Sequence, residues 1–431
     1  MPSFSVACLL ALNALVGVGA LPHIPRSNRL HARNTTWVPG KAFDRIAIIW
    51  LENTDYDKAV GDPSLAWLAA KGITLDSYHA VTHPSQPNYL ASISGDYQGM
   101  KLVKISSHDD LSNFPSNVST VLDLLEAKGI SWGEYQEDMP YTGFTGLEYL
   151  NQVNGANDYV RKHNPAGKNS EIGRDVEVLI LCAVSFENVN LHEERLANIK
   201  NTTLFWEDLE ADTLPQWMFI TPNMSMSSRR RIVSPLTRIA SDGHDSSVTV
   251  AGTWTRTFLE PLLNNTKFMK NTLVLVTFDE NETYTIQNRV LAILLGDAVP
   301  KELVGTTDSS FYDHYSEIAS VEANWGLDTL GRFDVGANVF SIVAEKTGDT
   351  LREWSGATAL DQHFFNYSYP GYFNDISGKN RSFIAPNVDA TYAGRQVHPS
   401  IIDTWKNSTL PTYYSTDLEI PDGYNLPEEQ G

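Results

Sequence analysis

Four continuous apolar runs punctuate the chain: Arg45–Leu51 "RIAIIWL", Trp217–Thr221 "WMFIT", Thr272–Phe278 "TLVLVTF" and Val290–Leu295 "VLAILL". Apolar residues that run on without alternating mark strands covered on both faces, as in a parallel sheet. Helical stretches lie between them. Thr120–Lys128 "TVLDLLEAK" is closed by Gly129, and Val248–Leu263 ends in "TWTRTFLEPLL". Strands alternating with helices predict a single α/β domain, a sandwich on a mainly parallel sheet, over residues 43–360. Residues 361–431, with "FFNYSYPGYFN", read as aromatic-rich loops wrapping that core.

Two blocks break the pattern. Residues 167–188, "GKNSEIGRDVEVLILCAVSFEN", carry an apolar run with no clear partner. Residues 225–241, "SMSSRRRIVSPLTRIAS", carry three arginines in a row. Each reads as a surface insertion or, more sharply, as translated intron sequence.

The amino terminus stands apart from the fold. Residues 1–20 hold an apolar core, "VACLLALNALVGVGA", ending in the small residues Val18, Gly19 and Ala20, which predicts a signal peptide and export. Residues 21–42 then form an N-terminal segment or pro-segment. Export changes the meaning of the N-x-S/T sequons at Asn34, Asn117, Asn201, Asn223, Asn264, Asn281, Asn366, Asn380 and Asn407. Such a number points to a glycoprotein, secreted or held in a cell wall. Cys8 leaves with the leader, so Cys182 is the one mature thiol and no disulfide is expected. Acidic residues outnumber basic ones 52 to 32, for a formal charge of −20. That balance argues against nucleic acid as a partner and asks for a local positive centre if the substrate is an anion.

The candidate chemistry gathers where strands end. "RIAIIWLENTDYD" leaves the sheet at Glu52-Asn53, and "TLVLVTFDENETY" leaves it at Asp279-Glu280. Strand carboxyl ends form the ligand rim of a parallel α/β sheet, and hard oxygen donors converging there suit a divalent cation. In "THPSQPNYL", Ser85 stands where a loop turns into a helix. Its hydroxyl fits a helix cap, and equally a nucleophile beside the positive helix end. Asn88, one turn on, would donate to a phosphoryl oxygen. "SDGHDSS" offers Asp242, His244 and Asp245 for metal ligation or proton transfer, and "YVRKHNPAG" offers Arg161, Lys162 and His163 as donors for an anion. His314 in "YDHYSEI" reads as a solvated helix start.

With these residues placed, the chain resembles the fungal secreted acid phosphatases, in the phosphoesterase family that also includes bacterial acid phosphatases and acid-type phospholipases C. "IIWLENTDYD", "THPSQPNYLASISGD", "YQEDMP", "YVRKHNP", "LPQWMFITPNM", "DGHD" and "VTFDENE" carry the resemblance, from about Phe43 to about Trp354. It implies an alkaline-phosphatase-like three-layer α/β/α fold and one divalent metal on Glu52, Asn53, Asp279 and Glu280. It further implies Ser85 as a transiently phosphorylated nucleophile, with His163 and His244 facing the phosphate. Both unusual blocks interrupt it.

The expectation is a secreted enzyme that hydrolyses small phosphate monoesters, scavenging phosphate outside the cell. Ser85 attacks, His244 or Asp242 protonates the leaving group, and Asn88, Lys162 and His163 hold the phosphate. Two alternatives stay open: a phosphodiesterase or phospholipase C on the same fold, and an inactive binding protein if the two blocks are genuine.

Overall fold

A computed structural model describes residues 37–100, 117–152, 155–166, 192–224, 246–356, 358–373 and 383–422. The leader, Asp242, His244, Asp245 and the two unusual blocks therefore lie outside the described residues. Nine strands form one central sheet. In chain order they are β1 (Arg45–Leu51), β2 (Ile73–His79), β3 (Trp132–Gln136), β4 (Ile199–Asn201), β5 (Trp217–Thr221), β6 (Thr272–Phe278), β7 (Arg289–Leu295), β8 (Thr306–Asp308) and β9 (Tyr312–Asp313). Their spatial order is β8-β2-β7-β6-β1-β5-β3-β4, with β9 also on β2. Every residue of β1, β5 and β6 is buried, as their unbroken apolar sequences require.

Only β7 runs against the rest, antiparallel to both β2 and β6. Its sequence had suggested a parallel strand. The connection from β6 spans residues 279–288 and carries no helix, so the chain cannot cross over and must turn back. β2 and β3 left no clear apolar run, because each mixes polar residues into a covered strand: "ITLDSYH" and "WGEYQ".

The helices that matter for the site are α1 (Ser85–Ser94), α2 (Val121–Lys128), α3 (Thr202–Glu210), α4 (Val248–Leu262), α5 (His314–Trp325) and α6 (Pro399–Trp405). They flank the sheet in two groups: α4 packs with the short Pro63–Ala69 helix, and α1 packs with α5. The result is a three-layer α/β/α sandwich. Local chemistry sets the ends. Thr120 and Asp123 form a capping box at the start of α2, and Gly129 closes it at φ 79°. Asp313 and Ser316 do the same for α5.

The carboxyl end of α1 is tied to the C-terminal part of the chain. Gly95 adopts φ 72°, and a Cβ there would meet Asp334 Oδ1 at 2.8 Å. The Arg332 guanidinium donates to Ser94 O at 2.8 Å. Asp96 next to it accepts from the hydroxyls of Tyr369 and Tyr414. These bonds fix the helix that begins at Ser85.

Candidate active site

The site is built on the register of two neighbouring strands. Leu51 of β1 pairs with Phe278 of β6, so Glu52 and Asp279 leave the sheet side by side. Asp279 N donates to Leu51 O at 3.0 Å, and Thr54 N donates to Glu280 O at 3.3 Å, which locks the two exits together. Glu52, Asp279 and Glu280 are all essentially inaccessible to solvent.

The loop that follows β2 delivers Ser85 to the same place. Asn88 clasps this loop: its Oδ1 accepts from Val81 N (3.0 Å) and Thr82 N (3.3 Å), while its Nδ2 donates to Thr82 O (2.7 Å). Both ends of the amide are thus engaged with backbone. Asn88 shapes the turn that presents Ser85. Asn288 braces the loop from β7, donating to Thr82 O at 2.9 Å.

Ser85 is the first residue of α1. The N-cap is Pro84, and no side chain caps the helix. The hydroxyl is therefore not a cap, contrary to half of the sequence expectation. It points to the carboxylates instead, with Oγ 3.0 Å from Glu280 Oε1 and 3.3 Å from Glu52 Oε2. One hydroxyl proton serves one acceptor at a time, and the nearer is Glu280. The positive end of α1 favours the negative charge assembled here.

Two histidines hold the carboxylates from outside. His163 Nε2 lies 2.9 Å from Glu52 Oε1. The Tyr89 hydroxyl donates to the same oxygen at 3.0 Å, and its ring stacks on His163. His83 Nδ1 lies 2.5 Å from Glu280 Oε2, and its ring stacks on Tyr284 with centroids 3.8 Å apart. A carboxylate oxygen only accepts, so Nδ1 of His83 carries a proton; Nε2 is buried without a hydrogen-bond partner. His83 and Tyr89 were not singled out in the sequence. The signals were present: His83 stands two residues before the serine, and Tyr89 lies four residues after it on the same helical face.

His314 is also corrected. It is wholly buried, because α5 is covered on all sides. Its Nε2 donates to Asp279 O at 2.7 Å and so pins the backbone of the acidic pair. Burial depresses its pKa to about 3, which keeps the ring neutral. Of the remaining expected residues, Arg161 is buried and donates to Thr145 O (3.2 Å). Lys162 and Asn53 are partly exposed at the rim.

The carboxyl of Asp279 is held well above the usual carboxylate range. Desolvation is the main cause, followed by the charges of Glu52 and Glu280; the Ser85 bond opposes them. Its Oδ2 is buried with no hydrogen-bond partner. Three crowded carboxylates and an orphaned oxygen are what a hard divalent cation relieves, so the donors fit one in kind. Among the described residues no three such side chains stand together as a ready metal cage. Glu52 and Glu280 are turned instead to Ser85, Tyr89 and the two histidines.

A serine hydroxyl among buried carboxylates, on the carboxyl rim of a mainly parallel α/β sheet, is the outline of a hydrolase site. Comparison with known proteins makes this specific. The chain belongs to the phosphoesterase family, whose profile matches residues 62–328. A protein of Kluyveromyces lactis named probable acid phosphatase is 50% identical over 371 residues, 86% of this chain and 77% of that protein. An Aspergillus fumigatus acid phosphatase is 43% identical over 396 residues, 91% of this chain and 77% of its own. Among solved structures, an alkaline phosphatase superfamily protein from Vibrio parahaemolyticus aligns with 67% of this chain and 68% of its own at 12% identity, with a TM-score of 0.40. Among the described residues no helix is long and apolar enough to cross a membrane.

Proposed function

We propose that this chain is an acid phosphatase that hydrolyses phosphate monoesters through Ser85. The carrying observation is the placement of Ser85 Oγ at the uncapped start of α1, 3.0 Å from Glu280 Oε1 and beside Glu52 and Asp279. The two relatives named acid phosphatases support the substrate class. Ser85 Oγ attacks phosphorus and forms the P–O bond of a phosphoserine while the P–O bond to the alcohol breaks. Glu280, the nearest carboxylate, takes the serine proton. Asp242 or His244, named from the sequence as donors to the leaving alcohol, supplies its proton. Water then releases inorganic phosphate and regenerates the serine.

His163 and Tyr89 fix Glu52, and His83 fixes Glu280, so neither carboxylate has to reorganise during attack. A divalent cation held by Glu52, Asp279 and Glu280 with Asn53 would supply charge stabilisation for the transferring phosphoryl group. Export, glycans and a phosphate-scavenging role belong to this reading through the leader and the sequons. The test is hydrolysis of p-nitrophenyl phosphate from about pH 3 to about pH 9 by the wild type and Ser85→Ala, with trapping of phosphoserine. Loss of about three orders of magnitude or more in Ser85→Ala is expected. Equal activity in the two would remove the serine from the mechanism. Faster hydrolysis of bis-p-nitrophenyl phosphate than of the monoester would move the enzyme to the diesterases.

A further inference from the structure

The sequons among the described residues fall into different structural classes, and the division is set by the side-chain amide nitrogen. N-glycosylation replaces one of its two hydrogens by a bulky sugar. An asparagine whose two N–H groups both donate, inside the protein, has no position left for that bond. A buried donor removed from its acceptors also costs the desolvation of what it leaves behind.

Three sequon asparagines are of this kind. Asn366 is 2% exposed, and its Nδ2 donates to Tyr284 O and Ile286 O, both at 2.7 Å. Asn281 is fully buried, with Nδ2 donating to Thr283 O at 3.1 Å and Gln287 O at 3.3 Å. Asn223 is 1% exposed, with Nδ2 donating to Asp138 Oδ2 and, at 3.1 Å, to Asp158 Oδ1. The first two amides hold the loop that follows Asp279-Glu280 and carries Tyr284 over His83. A sugar on either would dismantle that loop.

Three others are open. Asn117 and Asn407 are exposed, and their neighbourhoods meet through Trp405, whose indole N–H donates to Asn117 O at 3.2 Å. Asn264 is exposed just beyond α4 and uses one amide hydrogen on Glu260 O at 3.2 Å, leaving the second for a glycan. It precedes β6, whose far end leads to Asp279, so a sugar there stands toward the opposite end of that strand from the site.

We propose that the folded protein carries N-linked glycans on Asn117, Asn264 and Asn407, and that Asn223, Asn281 and Asn366 are unmodified sequons whose amides are retained as braces of the fold. The proposal rests on passage through a glycosylating secretory pathway and not on the phosphatase reaction, so its test involves no turnover. The full chain is made in a yeast secretory host, and its folded, monodisperse fraction is isolated. Glycans are then released by peptide N-glycosidase in water enriched in the heavy oxygen isotope, and the peptides are mapped. Heavy aspartate is expected at positions 117, 264 and 407 and ordinary asparagine at 223, 281 and 366. Asn117→Gln, Asn264→Gln and Asn407→Gln should each remove one glycan step from the gel mobility. Heavy aspartate at 223, 281 or 366, or its absence from any of 117, 264 and 407, overturns the assignment.

Discussion

Glu280 bridges the serine to a histidine: its Oε1 lies 3.0 Å from Ser85 Oγ and its Oε2 lies 2.5 Å from His83 Nδ1. One carboxylate therefore both receives the serine proton in the proposed reaction and is oriented by a ring that never touches the serine. The bridge makes His83 a positioning residue.

Replacing His83 by Ala should lower kcat by about 10- to 100-fold, the usual effect of removing a partner that orients a functional carboxylate. His83→Gln restores a donor to Glu280 and should recover part of that loss, although neither variant keeps the stack on Tyr284. Steady-state kinetics on p-nitrophenyl phosphate decide it. An unchanged kcat in His83→Ala would show that Glu280 holds its position unaided.

Asn88→Ala should destabilise the fold by about 2 kcal/mol or more, since it leaves the backbone N–H groups of Val81 and Thr82 in the buried 81–84 loop unpaired. Urea unfolding followed by tryptophan fluorescence measures this. A wild-type midpoint would mean that the loop keeps its shape without the clasp.

Asp279→Asn should stabilise the metal-free protein by on the order of 1 kcal/mol, because it removes a buried charge crowded by Glu52 and Glu280. The gain is read as a higher melting temperature in the presence of a chelator. Added Mg²⁺ or Ca²⁺ should raise the melting temperature of the wild type and do so less for the variant. If the cations shift both proteins equally, Asp279 is not among the ligands.

Stability should fall as pH rises from about 6.5 to about 8. Burial pushes Asp313 up to about 7, and Glu134 and Glu317 up to about 8. Across this window the folded chain holds protons that the unfolded chain has released, so raising the pH favours unfolding. His79 and His314, depressed to about 4 and about 3, act in the opposite sense only below their ordinary value of 6.5. Glu317→Gln keeps an acceptor for Trp50 Nε1 and Tyr78 OH and should flatten the profile. Denaturant midpoints that climb through this window would contradict the assignment.

Much of this architecture could be read from the chain, and the reasons for the exceptions are physical. β1, β5 and β6 declared themselves because, covered on both faces, they are built almost wholly of apolar residues. The reversal of β7 was hidden, since an apolar run does not encode its direction; only the missing crossover helix does. Glu52, Asp279, Glu280 and Ser85 were visible as chemistry-bearing residues at strand and helix ends. The burial of His314 and the loop clasp of Asn88 were not legible because their partners are backbone atoms, of Asp279, Val81 and Thr82, which leave no trace in side-chain patterns. His83 stands two residues before Ser85, but its meaning depends on Glu280, 197 residues away.

That separation has a consequence for the life of the chain. Ser85 meets Glu280 across 195 residues, through the pairing of β1 with β6 at the middle of the sheet. Contacts of this span carry a large loop-closure entropy that must be met before they are rewarded. A nascent or truncated polypeptide ending before Thr272 contains the serine and lacks the carboxylates of Asp279 and Glu280. On the proposed mechanism, the hydrolytic apparatus is incomplete until β6 has joined the sheet, so the onset of turnover would double as a report that these distant parts of the chain have come together.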